Sequence, residues 1–227
     1  MKGIIDLLQL FFPSNCLVCG KRLNASGYTL CFECEIKIPR TGFGVGEDNP
    51  ISQIFWGRVA VSAGTSLFRF EKGSAYQTLI HDVKYRGNRK ACFYLGRLLG
   101  QELKNSMFSA CDLMVPVPLH YKRHKQRGYN QSELIAQGVS EITKIPVVAN
   151  LIRRLRYQHS QTTMSREERF ENMNKAFFLS GSPPDLHNKK ILIIDDIITT
   201  GATLEACSRV LLDQFTCSVY IATLSVA

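Results

Sequence analysis

The stretch Ile191-Leu-Ile-Ile-Asp-Asp-Ile-Ile-Thr-Thr-Gly-Ala-Thr-Leu204 decides how this chain folds, because it joins an apolar run, two acids and a small-residue turn without a gap. Ile191 to Ile194 are β-favouring residues in succession, the pattern of a strand buried on both faces in a parallel sheet. Ligands of such sheets gather at the C-terminal ends of strands. There stand Asp195 and Asp196, which are costly to desolvate unless they face a cleft and an oxygen-rich or metal-bearing partner. Thr199, Thr200, Gly201, Ala202 and Thr203 follow, with hydroxyls, an unhindered backbone and the free N–H groups of a helix starting near Leu204. These favour an anion such as phosphate. Acids so close to a phosphate cradle would repel a bare nucleotide diphosphate, whereas a sugar phosphate offers hydroxyls or bound metal to the acids and its phosphate to the turn. The stretch contains neither the lysine of a G-x-x-x-x-G-K-[ST] loop nor a G-x-G-x-x-G, which disfavours a P-loop NTPase and a dinucleotide binder. The plainer alternative is a buried strand with an acidic turn and a Thr-capped helix.

The same string resembles the phosphoribosyl pyrophosphate signature of type I phosphoribosyltransferases, in which apolar residues, two acids and a T-T-G-x-T turn follow one another. The resemblance implies that Asp195 and Asp196 are the catalytic acids that hold the ribose hydroxyls, and that Thr199 to Thr203 hold the 5-phosphate.

The 227 residues, 45% hydrophobic, suffice for one α/β domain and a small appendage. No run reaches the ~18 apolar residues of a membrane span. Apolar residues at positions 4, 5, 7, 8, 11 and 12 fit one face of a short helix packed on the rest of the protein, and no small-residue cleavage site marks a signal peptide. The net charge of +9 implies an anionic partner, whether phosphorylated substrate or nucleic acid. Cys16-Leu-Val-Cys19 and Cys31-Phe-Glu-Cys34 form C-x2-C-x11-C-x2-C, the local spacing of a structural zinc site of four thiolates, with a redox pair or disulfides as the alternatives. The other cysteines are scattered among apolar residues. This usage points to the cytoplasm.

Gly42, Gly44 and Gly46 mark a linker between Ile38 and Asn49, so residues 1–50 are expected to form the N-terminal helix and zinc module and residues 51–227 the larger domain. Val59 to Val61 and Leu67 to Phe70 read as strands, followed by a helix capped by Ser74 and, after the basic stretch from Lys84 to Lys90, a second amphipathic helix. Leu113 to Pro118 reads as a strand. It opens onto His120 to Asn130, read as a very basic loop whose Lys122, Arg123, Lys125 and Arg127 suit pyrophosphate or nucleic-acid phosphates, or else a solvated charged surface. Asn130 or Ser132 starts the next helix. Ile145 to Val148 reads as a strand, and Leu151 to Arg169 as a long polar segment that is either disordered or covers the substrate, with Arg153, Arg154, Arg156, Arg166 and Arg169 in reach of a diphosphate. Strands at Ala176 to Leu179, in the organising stretch and at Ser218 to Leu224 complete an α/β alternation. The fold expected is a mainly parallel sheet flanked by helices.

The paired C-x-x-C motifs, Val115-Pro-Val-Pro-Leu-His120, Arg127-Gly-Tyr-Asn-Gln131, Ser165-Arg-Glu-Glu-Arg169 and the sugar-phosphate signature together resemble the ComF family of competence-associated phosphoribosyltransferase-like proteins. That resemblance implies structural zinc on Cys16, Cys19, Cys31 and Cys34, and phosphoribosyl pyrophosphate bound with magnesium. It also implies substrate contacts from Lys84, His120, Arg123 and Arg127, and partners among single-stranded DNA or the competence helicase machinery. Glutamine-dependent amination is not expected, since the sequence begins Met1-Lys2 rather than with a glutaminase nucleophile. Two classes of function follow: a pentosyl transferase acting on an unidentified acceptor, or a non-catalytic phosphoribosyl pyrophosphate sensor or single-stranded-DNA-binding protein.

Overall fold

The computed structural model describes residues 14–23, 27–43, 48–85, 87–154 and 176–227. The helix expected over residues 4–12, the glycines at 44 and 46, and the arginines at 156, 166 and 169 with the motif at 165–169 lie outside the described residues. In chain order the elements are α1 (Phe32–Ile36), α2 (Pro50–Gln53), β1 (Val61–Arg69), α3 (Gln77–Tyr85), α4 (Arg89–Lys104), a 3-10 turn (Met107–Ala110), β2 (Leu113–Pro116), α5 (Tyr121–Arg127), α6 (Gln131–Thr143), β3 (Ile152–Arg154), β4 (Phe177–Leu179), β5 (Lys190–Ile198), α7 (Ala202–Leu212) and β6 (Ser218–Val226).

The main sheet runs β1-β6-β5-β2 and every pairing in it is parallel. The organising strand β5 lies between β6 and β2, which is why four apolar residues in a row suit it. Leu192 and Ile194 enter the apolar cluster beneath α3, α4 and α6, while Ile191 and Ile193 enter the one beneath α7. The expected α/β sheet with helices on both faces is what forms. Helices α4 and α6 meet closely enough that a Cβ on Gly138 would stand 2.2 Å from the Phe93 carbonyl oxygen, and one on Gly96 2.3 Å from that of Ile135. Side chains at these two positions would force the helices apart and strip contacts from the core.

Several local readings need correction. The basic segment after β2 is a helix, α5, with the His120 side chain accepting the Lys122 amide at its start and Gly128 in the left-handed region at its end. Ile145 to Val148 makes one parallel bridge, Val147 to Met114, rather than a strand; Pro146 has no amide to extend the ladder. Ile152–Arg154, read as part of a polar loop, pairs antiparallel with β4 in a separate two-stranded sheet. Val59 to Phe70 yields one strand instead of two. The Ser74 hydroxyl, assigned as a cap, is buried without a hydrogen-bond partner, and α3 starts at Gln77.

The supposed linker is only partly one. Ile38 is buried, and Pro39 to Thr41 run along β1, with the Arg69 amide donating to the Pro39 carbonyl at 2.9 Å and the Thr41 amide to that of Leu67 at 3.2 Å. Asn49 is also buried, capping α2 and donating from Nδ2 to the Gly64 carbonyl at 2.9 Å. Consequently Cys16, Leu30, Cys34 and Ile38 share one apolar cluster with Leu95 and Leu99 of α4.

Candidate functional site

Strand β5 delivers Asp195 and Asp196 to the C-terminal edge of the sheet. Alternation along the strand turns them toward opposite sides. Asp195 accepts a hydrogen bond from Ser132 Oγ at 2.9 Å and one from the Asp196 amide at 2.8 Å. Asp196 is buried, and its nearest cation is Lys84, with Nζ 3.7 Å away. Burial and then the neighbouring Asp196 charge push Asp195 up to about 7, outweighing its two hydrogen bonds. Burial also raises Asp196, against the pull of Lys84 and Arg127.

The sign of this shift gives a test. Between the unfolded pKa near 4 and the native pKa near 7, the folded chain holds a proton that the unfolded chain releases, so this carboxyl weakens folding progressively as pH rises through that window. Asp195→Asn keeps an acceptor for Ser132 and removes the charge. In metal-free buffer its melting temperature should match the parent near pH 4 and exceed it by a few degrees, roughly 1 kcal/mol, at pH 8; differential scanning calorimetry across that range checks it.

After β5 the chain turns through Thr199 and Thr200 to Gly201, whose φ of 75° lies in the left-handed region, and α7 begins at Ala202 with no side chain capping it. The unclaimed amides of its first turn therefore face the turn. A hollow of about 40 Å³ lies there, lined by residues 199–204 with Asp195, Ile197 and Ile198. Two buttresses hold this turn. A Cβ on Gly201 would come within 2.6 Å of Ile54 and 3.1 Å of Phe55, so the residues after α2 press directly on it. Arg58 donates from Nη1 to the carbonyls of Thr200 at 2.8 Å and Ile54 at 3.0 Å, and pairs with the buried carboxylate of Glu205, which Arg209 also grips at 2.9 Å. Gly201→Ala combines a strained φ with a collision against the Ile54 and Phe55 side chains. It should lower stability by about 1 to 3 kcal/mol and weaken inorganic phosphate binding at the turn. Thermal melts and phosphate titration would show this.

A cleft of about 370 Å³ connects the acids to the cations. Lys84 from α3, Arg123 and Arg127 from α5, Arg154 from β3, and Ser132 and Gln131 from α6 line it together with Asp195, Asp196, Thr199 and Thr203. Seven of the residues that the sequence singles out, Lys84, Arg123, Arg127, Asp195, Asp196, Thr199 and Thr203, thus converge on one concavity, while Thr200, Gly201 and Ala202 line the hollow at the turn. His120 stands apart, serving as the cap of α5 and packing 4.8 Å from the Tyr121 ring. Burial, followed by Arg154, Lys122 and Arg123, holds its pKa below the usual histidine value. Arg154 lies 5.1 Å over the Phe177 ring, and burial and then the Arg123 guanidinium lower its pKa. Arg123 and Arg154 line the same cleft, and two guanidiniums so placed suit an anion.

Asn130 fixes this wall by donating from Nδ2 to the Val117 carbonyl at 3.0 Å while its Oδ1 caps α6. Among the participants, Arg154 of the short β3 is one of the arginines expected near a diphosphate, whereas the sequence assigns Ser132, Arg58 and Glu205 no part in the site. The T-x-E spacing from Thr203 to Glu205 signals a helix start, but nothing local ties Arg58 to it across 147 positions.

On the far side of the core, the sulfurs of Cys16, Cys19, Cys31 and Cys34 all lie within 4.8 Å of one another. Cys19 and Cys31 stand 3.7 Å apart, matching the ~3.8 Å edge of a tetrahedron with 2.3 Å zinc–sulfur bonds. Burial opposes a thiolate at Cys16, yet the amides of Cys19, Cys31 and Val18 outweigh it and bring its pKa down to about 7. The cluster is compatible with a closed structural zinc. Its packing is tied to the larger unit by Tyr76, whose hydroxyl donates to the Cys34 carbonyl at 2.9 Å, and by Thr78, which donates to that of Leu17 at 3.0 Å.

A parallel α/β sheet with an acid pair and a T-T-G-x-T turn at its C-terminal edge defines a protein of the phosphoribosyltransferase class. The family model described as the phosphoribosyl transferase domain matches residues 92–225, more than half of the chain, and the protein belongs to that family. It is similar to Competence protein F of Haemophilus influenzae, 35% identical over 100 residues; the match covers 44% of this chain and 44% of that protein, so it spans less than half of the relative's length. The DNA utilization protein YhgH of Salmonella typhi is 27% identical over 231 residues, covering 94% of this chain and 97% of that one. Among solved structures, adenine phosphoribosyltransferase from Leishmania tarentolae is 11% identical, covers 80% of this chain and 89% of that chain, and has a TM-score of 0.38. No helix among the described residues is long and apolar enough to cross a membrane.

Proposed function

We propose that the cleft binds phosphoribosyl pyrophosphate with magnesium and transfers its ribose phosphate to an acceptor. The observation that carries this reading is the meeting of the acid pair, the start and end of the small-residue turn and four cations, Lys84, Arg123, Arg127 and Arg154, around one cavity. Asp195 and Asp196 hold the ribose hydroxyls, and the amides and hydroxyls of Thr199 to Thr203 hold the 5-phosphate. Magnesium, when bound with the ligand, would neutralise the pyrophosphate, and the two aspartates are the carboxylates available to hold it. In the transfer, the bond from C1 of the ribose to the pyrophosphate oxygen breaks, and pyrophosphate leaves with the electron pair toward the cations. An acceptor nucleophile forms the new bond to C1 and gives up its proton. The paired negative charge of the acids favours the sugar as it becomes cationic. Four thiolates at Cys16, Cys19, Cys31 and Cys34 hold zinc as a structural ion, and this metal-ligand use of half of the eight cysteines supports a cytoplasmic location.

A second reading has a specific support. Relatives are named for competence and DNA utilization, and the chain carries a net charge of +9. Single-stranded DNA is therefore proposed as a partner, whether the transferase site turns over or only senses phosphoribosyl pyrophosphate. Pyrophosphate release decides between transfer and sensing. Protein, magnesium and phosphoribosyl pyrophosphate are offered a panel of bases, amines and nucleotides; release stimulated by one acceptor supports transfer, and tight binding without release across the panel supports sensing.

A further inference from the structure

A second, larger cleft of about 940 Å³ opens beside the first, between α5 and the β3–β4 pair. Pro118, Leu119 and Arg154 line both clefts. Its volume stands at the top of the ~300 to 1,000 Å³ range of small-molecule sites, so it suits an extended occupant. Tyr121 and Phe178 line it, 38% and 40% exposed. Phe178 is open because β4 alternates, spending Phe177 on the core and turning the next ring outward. Lys125, His124 and Arg153 add basic groups to the walls, against one carboxylate, Glu133. Part-exposed aromatic rings interleaved with cations are the recognition chemistry of single-stranded nucleic acid, whose bases stack while its phosphates find positive charge.

We propose that this second cleft holds single-stranded nucleic acid, with bases on Tyr121 and Phe178 and phosphates on Arg153, Lys125 and Arg154, and that the strand competes with the pyrophosphate end of the sugar phosphate for Arg154. The Arg154 side chain borders both spaces, so a phosphate engaged from one side removes it from the other. Coupling between the two ligands is then negative and reciprocal. A strand in the second cleft releases phosphoribosyl pyrophosphate, and phosphoribosyl pyrophosphate releases the strand. The competition rests on the sugar-phosphate reading above; the placement of the strand does not.

The test is titration of a labelled thymidine oligomer of ~15 nucleotides at low, matched ionic strength and fixed free magnesium. Phosphoribosyl pyrophosphate and inorganic pyrophosphate should each weaken its binding about fivefold or more, while ribose 5-phosphate, which lacks the pyrophosphate, should leave it unchanged. Tyr121→Ala combined with Phe178→Ala should weaken the oligomer roughly tenfold without altering phosphoribosyl pyrophosphate affinity. Arg154→Gln should weaken both ligands and abolish their competition, with melting temperatures confirming that each variant is folded. Absence of oligomer binding at low salt overturns the proposal, as does an unaltered oligomer affinity in the double aromatic variant. Oligomer binding indifferent to pyrophosphate, in a protein that calorimetry shows to bind phosphoribosyl pyrophosphate, overturns the competition. If calorimetry finds no phosphoribosyl pyrophosphate binding, the sugar-phosphate reading falls, and the aromatic variant still decides the cleft.

Discussion

Replacing Cys16 and Cys31 together with serine is expected to leave the protein without zinc and with a melting temperature lowered by more than ten degrees. The expectation follows from the cluster geometry, in which all four sulfurs lie within 4.8 Å of one another, leaving no second set of thiols nearby to replace the lost pair. Structural zinc contributes ~10 kcal/mol or more to small metal modules. Here the loss should reach further than the module, because Cys16, Leu30, Cys34 and Ile38 share their apolar cluster with Leu95 and Leu99 of α4. Local unfolding around residues 14–38 would expose that face of the helix to water. The parallel sheet, whose strand-to-strand pairings lie outside residues 14–38, should persist at low temperature, so far-ultraviolet circular dichroism should change much less than the melting temperature. Elemental analysis of the purified variant measures the metal directly. Retained stoichiometric zinc would refute the four-thiolate assignment.

How far the fold can be read from sequence depended on where the decisive contacts were made. Strand β5 was legible because both its faces are buried, which leaves an uninterrupted run from Ile191 to Ile194, and the acid pair and the small-residue turn follow it within ten residues. Helices α4 and α6 were legible because each has one core face. Helix α5 was misread as a loop because Tyr121 to Arg127 contains no buried residue at all, so periodicity had nothing to report. Its boundaries did carry a signal, with His120 as a capping side chain and Gly128 eight positions on. Glycine content marks the residues around position 50 as a connection but does not show that Asn49 and Ile51 pack closely on β1. The support of the site was illegible for a different reason. Arg58 reaches Thr200 across 142 positions and Ser132 reaches Asp195 across 63, and single-sequence patterns do not encode which distant side chains meet.

The acid pair carries the largest expected effect on ligand binding. Asp195→Asn with Asp196→Asn preserves shape and leaves Ser132 an acceptor, but it removes both negative charges from a site that also holds Lys84 and Arg127. Ribose hydroxyls then lose their charged acceptors, each worth about 1.5 to 3 kcal/mol as a charge-assisted hydrogen bond, and magnesium loses its carboxylate ligands, so affinity should fall by two orders of magnitude or more. Folding should not suffer, because burial already raises both carboxyls and the Asp196 charge raises Asp195 further; relieving that strain favours the native state at neutral pH. Loss of binding with retained or increased stability separates a ligand role from a structural one. The most direct measurement is calorimetric titration of phosphoribosyl pyrophosphate with magnesium into the parent and the double variant. A clear binding isotherm for the parent and none for the variant is the predicted result, and equal affinity in the two proteins would contradict the sugar-phosphate site.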